Sequence, residues 1–348
     1  MSAERAAPTR GLPSAARRGL RAHAALGPDE LVERTRAMGG DVTVRAASRR
    51  MRPADGAAHA PLDAAVARAL EIFHEVDRAC TCSDATSALA RANAAPDQWH
   101  VVPDLLVAAV AESHDAYKRS SGRFDPRVPP PSAARGHGER AGPTGEAELG
   151  ARATPGRATG PSGAWRPQVR HAHRAIHLGG APIDLGPIAK GLAVRWAATA
   201  VASAATDFLV WAGDVVFCAG RAPDGGPWRL GVEDPCGGGA PVAVLALGDT
   251  GAATSSSCAP RWTVDGTPTH DLVDPSTGRP GGEGLSSVTV VARDPATAGV
   301  WSKALFLAGA SGVEAAARQA SVAALWVGSD GWRGHTQELV PVLERQAP

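Results

Sequence analysis

Over 348 residues the chain has one Tyr, five Phe and five Cys, and no apolar run near the roughly 18–20 residues that a membrane-crossing helix requires. A large excess of either charge is also missing: 36 Lys and Arg face 35 Asp and Glu, a net charge of +1. That balance argues against a dedicated nucleic-acid binder, whose affinity rests on a basic surplus over phosphates. The five cysteines are odd in number and widely spread. The Cys80-x-Cys82 spacing fits neither a CxxC redox motif nor a zinc site, so the thiols read as buried or incidental. The Arg- and Ala-containing start, through residue 34, lacks the 7–15-residue apolar core of a secretory signal and reads as a disordered tail. The expected location is the cytoplasm. With 44% hydrophobic and 20% charged residues the chain is nonetheless an ordinary folded protein, and its length suggests one large domain or about two smaller ones.

What is present has a clear order. Asp41–Ala47 (DVTVRAA) alternates apolar and polar residues, a strand expected over 40–47. Ala64–Ala79 places Val66, Leu70, Phe73 and Val76 on one helical face, and Pro103–Tyr117 does the same with Leu106, Val110 and Tyr117. Pro129–Gly163 holds a single Leu and no Ile, Val or aromatic residue; unable to offset its chain entropy by burial, it reads as a flexible insertion. Beyond it come a helix over Gly191–Ser203, a run of strands (DFLVWAGDVVFCAG, WRLGVEDP, VAVLALGDTGAATSS, SSVTVVARD), a late helix over Val300–Ala310 and a last strand, AALWVG. No repeat is visible. The expected fold is α+β, with a mostly antiparallel sheet and flanking helices in one compact domain over 35–340.

Three stretches are candidates for chemistry. Asp184–Gly191 (DLGPIAKG) leads into a helix, where free amides, a partial positive charge and Lys190 suit a phosphate, although the GxxxxGK[ST] P-loop is absent. The alternative is an ordinary helix cap with a solvated Lys. His270-Asp271-Leu272-Val273-Asp274, ahead of the turn-forming PSTG, crowds three titratable groups at a strand-to-turn junction. Ala212-Gly213-Asp214 closes a buried apolar strand.

Taken in order, IDLGPIAKG, AGDVVFCAG, PWRLGVEDP, ATSSS, HDLVDPSTGRP, SSVTVVARD and KALFLAG resemble the ApbE-type FAD:protein FMN transferases. Upstream, Met38-Gly39, SDATSALARAN and SGRFDP match in the same sequence, so the resemblance runs over about 35–335. It implies a single α+β domain holding FAD between two lobes. It also implies a magnesium-assisted reaction that cleaves the FAD pyrophosphate, releases AMP and leaves FMN on a Thr or Ser of an acceptor protein through a phosphoester. Met38, Ser83, Arg123, Phe124, Asp125, Asp184, Lys190 and Val273 fall where the family contacts FAD, and the Pro187 carbonyl falls where it binds magnesium.

The chain departs from the family at its reacting centre. The family's helix start supplies two magnesium ligands where this chain has Gly299 and Lys303, and its catalytic second His is here Asp271, after His270. Three readings therefore stand open. One is a transferase with a rebuilt centre, in which Asp271 is base or metal ligand, His270 is beside it and Lys303 supplies part of the metal's charge. The second is a flavin-binding protein without transfer, and the third a scaffold with no ligand.

Overall fold

The computed structural model describes residues 20–22, 30–47, 60–127, 163–235, 237, 239–258, 262–264 and 267–346. Its centre is an eight-stranded sheet running, edge to edge, Arg333–His335, Ala323–Gly328, Leu285–Ala292, Thr250–Ser256, Val215–Ala219, Asp207–Ala212, Gly40–Ala47 and Glu30–Ala37. Every neighbouring pair is antiparallel, which makes the fold the expected α+β type.

Both faces of this sheet are covered, and the alternation along its strands says by what. In Asp207–Ala212, Phe208, Val210 and Ala212 join the core beneath the helices, while Leu209 joins a second core under a four-stranded sheet. In Leu285–Ala292, Val288 and Val290 face the first core and Val291 the second. Successive side chains on a strand point to opposite sides, so a run such as FLVWA needs apolar cover on both. The second layer comprises Leu20–Ala22, Trp228–Val232, Ala243–Leu247 and Leu343–Gln346. Leu20–Ala22 and Glu30–Ala37 thus contradict a disordered tail through residue 34: backbone pairing to Trp228–Val232 and to Gly40–Ala47 holds them in strands. The domain likewise runs past 340, because Leu343–Gln346 completes the small sheet.

Six helices pack on the first face or beside it: α1 (Ala60–Cys80), α2 (Ala88–Ala94), α3 (Asp104–Arg119), α4 (Gly186–Ala202), α5 (Pro295–Leu307) and α6 (Gly309–Ala320). Val66, Phe73 and Val76 of α1 are buried, as the helical period requires. α1 begins at Ala60 rather than Ala64 and α3 runs to Arg119 rather than Tyr117, and the bounds of α4 and α5 differ more. α4 starts at Gly186 rather than Gly191, because Pro187 is favourable in a first turn, where its missing N–H costs nothing. α5 starts at Pro295 rather than Val300 and ends at Leu307: Asp294 caps it by accepting from the Thr297 N–H at 2.8 Å, and Pro295 follows in the first turn. The insertion over Pro129–Gly163 lies, apart from Gly163, outside the described residues.

Two glycines set where α5 lies. A Cβ on Gly191 of α4 would stand 2.5 Å from the Ala296 Cα, and one on Gly251 would stand 2.7 Å from the Pro295 Cα. Only residues without a side chain allow the first turn of α5 to press against both α4 and the central sheet. The next turns of α5, carrying Gly299 and Lys303, are thereby held against the start of α4.

Candidate active site

Residues far apart in sequence meet around the start of α4. The Asp184 N–H donates to the Pro126 carbonyl at 2.7 Å, stitching the 123–127 segment to the approach to α4. Asp184 then turns back and accepts from the Gly186 N–H at 2.9 Å, so its carboxylate takes the cap role that Leu185 lacks. One helical turn later Lys190 forms an ion pair with Asp214. Asp214 sits in the two-residue turn between the antiparallel strands Asp207–Ala212 and Val215–Ala219, with Gly213 at φ 61°. Asp125 is 5% exposed and held by Arg127 through a two-pronged pair of 3.0 and 2.7 Å, with a further bond from the Arg127 N–H at 2.9 Å.

Lys303 projects into this group from α5. It is buried, and among the described residues it makes no hydrogen bond and no ion pair. Burial pulls its ammonium below the ordinary lysine range, against the opposing pull of Asp184, Asp271 and Asp125, so these three carboxylates surround it at Coulombic range. Asp271, across from it, is pushed up by burial and by Asp214, while Lys303 and Lys190 pull it down; the net direction is upward. His270 lies edge-on to Phe306 of α5, ring centroids 5.8 Å apart, and its Nδ1 accepts from the Leu272 N–H at 3.2 Å.

The remaining expected residues are placed less uniformly. Met38 has a left-handed backbone, φ 53°, with its N–H bonded to the Asp77 carboxylate at 2.8 Å. Asp77, Arg78 and Ser83 line a cleft of about 320 Å³. Cys82, next to Ser83, donates to the Ile183 carbonyl at 3.5 Å and feels the Asp184 charge, which joins this cleft to the start of α4. Val273 is buried in a short antiparallel pairing with Pro280. Arg123 is exposed, whereas the Phe124 ring is 1% exposed and belongs to the core. The structure thus brings together Asp125, Asp184, Pro187, Lys190, Asp271, Gly299 and Lys303, with Met38 and Ser83 to one side. Sequence reasoning missed Arg127 as the partner of Asp125 and left Asp214 without a role. The i, i+2 spacing of opposite charges in Asp125-Pro126-Arg127 is the signal that could have found the first. A larger hollow, about 890 Å³ and bounded by Arg195, Phe208, Phe217 and Asp294, lies at the other end of α4 and includes none of these residues.

The donor set decides whether a magnesium ion fits. Magnesium asks for an octahedron of oxygens, several from water and the rest from carboxylates, carbonyls or phosphate. The Pro187 carbonyl faces Gly299, which has no side chain to add, and four residues on, Lys303 brings a cation. Among the described residues no group of three or more His, Cys, Asp or Glu is disposed to hold a metal. The residues present do not fit a divalent ion.

Comparison with known proteins bears on the whole of this arrangement. Residues 38–326 match the family model of the ApbE family. The chain is 27% identical over 151 residues to an FAD:protein FMN transferase of Salmonella typhimurium, covering 43% of each chain. It is 32% identical over 130 residues to one of Haemophilus influenzae, covering 36% of this chain and 38% of that protein. The matched stretch therefore spans less than half the length of these curated relatives. Among solved structures, an ApbE protein of Thermotoga maritima superposes with a TM-score of 0.74 at 23% identity, covering 91% of this chain and all of that one. A flavin transferase ApbE from Vibrio cholerae gives 0.70 at 22% identity, covering 90% and 99%. These likenesses establish the fold.

Proposed function

The chain belongs to the ApbE family, and on that premise we propose that it is an FAD:protein FMN transferase acting on a Thr or Ser of an acceptor protein. The observation that carries the proposal is the convergence at one locus of Asp184, Lys190 with Asp214, Asp271 and Lys303, drawn from four separate parts of the sequence. FAD is the substrate. Its adenine side is assigned to Met38, Ser83 and the cleft beside Asp77, and its pyrophosphate to the start of α4.

The chemistry follows from the groups present. The acceptor hydroxyl oxygen attacks the phosphorus on the FMN side of the pyrophosphate, in line with the bond to the bridging oxygen. The new P–O bond forms as the bridging bond breaks. AMP departs with the bridging oxygen, and the hydroxyl proton passes to Asp271. A carboxylate held upward by burial is a stronger base than an exposed one, and it takes the place of the family's histidine. Lys190 and Lys303 offset the charge that grows on the phosphate oxygens. No divalent ion is assigned, since the donor set does not fit one. A cytoplasmic setting is supported by four free thiols among the described residues, Cys80, Cys82, Cys218 and Cys258.

Incubation with FAD and a Thr-containing acceptor peptide tests the reading. The expected products are AMP by chromatography and a peptide heavier by one FMN moiety. FAD that binds tightly without AMP release would instead favour the flavin-binding reading, and absence of FAD binding would remove both. FAD should also bind more tightly than FMN, because the adenine side has its own contacts.

A further inference from the structure

Lys303 is the one buried lysine among the described residues, and none of those residues pairs with it. An ammonium has three hydrogens to donate, and the Lys303 nitrogen, at the end of a mostly buried side chain, still keeps contact with solvent and is free to take an incoming acceptor. Of the three carboxylates at Coulombic range, none forms an ion pair with Lys303, Asp271 included. Asp125 has both oxygens on Arg127, and Asp184 accepts from the Gly186 N–H. The backbone gives Lys303 little room to move elsewhere, because Gly191 and Gly251 let α5 seat tightly against α4 and the sheet. One turn earlier on the same face of α5, Gly299 leaves open the space before the Pro187 carbonyl. The result is a fixed positive charge with three free donors beside an uncluttered floor at the start of α4.

We propose that the Lys303 ammonium is the permanent cation of this site: it takes the pyrophosphate oxygens of the dinucleotide directly, and the chain binds FAD without a divalent metal. The inference rests on the reading that FAD is the substrate. Phosphate oxygens supply the acceptors that Lys303 lacks, which explains why a buried unpaired lysine is kept. A divalent ion in the same space would meet a like charge at close range and find no carboxylate from α5.

Flavin fluorescence titration of the full chain with FAD, in EDTA and then in millimolar magnesium, tests this without any turnover. The wild-type affinity should agree between the two conditions within about twofold. Lys303→Met, which keeps the length and removes the charge, should weaken FAD binding about tenfold or more, as expected for losing a charge-assisted bond. Lys303→Arg should retain most of the affinity, and a circular-dichroism melt of each variant checks that it is folded. FAD binding that appears only with magnesium, or that is equal in Lys303→Met and wild type, would overturn the inference while leaving the FAD site standing. FAD binding under no condition would overturn the site assignment itself. Metal-independent FAD binding without FMN transfer would uphold the inference and sink the transferase reading.

Discussion

A Cβ added at Gly299 would stand 3.7 Å from the carbonyl oxygen of Pro187. The two residues belong to different helices and lie more than a hundred positions apart. A side chain at 299 would therefore enter the space in front of that oxygen, and the glycine keeps it clear. With Lys303 one turn further along α5, these two positions present open space and a cation.

Oxygen donors can be introduced at this place. Gly299→Asp with Lys303→Thr puts a carboxylate and a hydroxyl beside the Pro187 carbonyl, the hard oxygen donors that magnesium selects. Isothermal titration of the FAD-loaded double variant with magnesium should show a binding heat that the wild type lacks. Gly299→Asp alone should not, since the new carboxylate would pair with Lys303 instead.

Removing the Lys303 charge should stabilise the protein without ligand. Its folded pKa lies below the ordinary 10.5 because burial outweighs Asp184, Asp271 and Asp125. A depressed lysine favours the folded state above the unfolded pKa, and that contribution is lost as pH falls through the folded value. Below its folded pKa the charge is therefore a cost to the folded state. Lys303→Met should gain about 1 kcal/mol, or roughly 2 °C in Tm, at neutral pH. The gain should shrink as pH rises through the folded value and vanish above the ordinary 10.5, where the lysine is neutral in both states. A lower Tm for the variant at pH 7 would show that Lys303 is instead a structural counter-ion.

Asp294, at the other end of α4 from the site, should be a costly carboxylate to remove. It caps α5 and grips Arg195 of α4 at 2.6 and 2.7 Å, while Arg195 also holds Glu112 of α3 at 2.6 Å. Burial pushes the Asp294 carboxyl up, but the Arg195 and Thr297 bonds outweigh it, and the net direction is down from 3.8. Such a group stabilises above its unfolded pKa and loses that contribution as pH falls through the folded value. Asp294→Ala should cost about 2–4 kcal/mol in urea unfolding at pH 7. Asp294→Asn should cost less, since an amide still caps, and its stability should fall less steeply below pH 4.

Gly282→Ala should damage both stability and flavin binding. The residue has φ 79°, which disfavours any side chain, and its Cβ would overlap the Phe306 ring. Strain and overpacking together should cost about 3 kcal/mol by chemical denaturation. Because Phe306 supports His270 edge-on, the 270–273 loop should shift and FAD affinity should fall with it. An affinity equal to wild type would separate that loop from the flavin site.

Much of this protein was determined by local sequence. The alternation of DVTVRAA marked the strand Gly40–Ala47 to the residue, and the 3.6-residue period of Val66, Phe73 and Val76 marked the buried face of α1. The ordered blocks from Met38-Gly39 to KALFLAG carried the family, because their succession along the chain can be read without knowing the fold. Tertiary structure decided the rest. Leu20–Ala22 and Glu30–Arg34 look like tail by composition, and only pairing with distant strands makes them ordered. The early start of α5 depends on Asp294, whose capping role is sealed by Arg195, 99 positions away. Lys303 shows the limit most clearly. Its identity is visible in the sequence, but its burial, its lack of a partner and its ring of three carboxylates come from packing α5 against α4. Charge interactions act through space, whereas local patterns report only what lies within a few turns of chain.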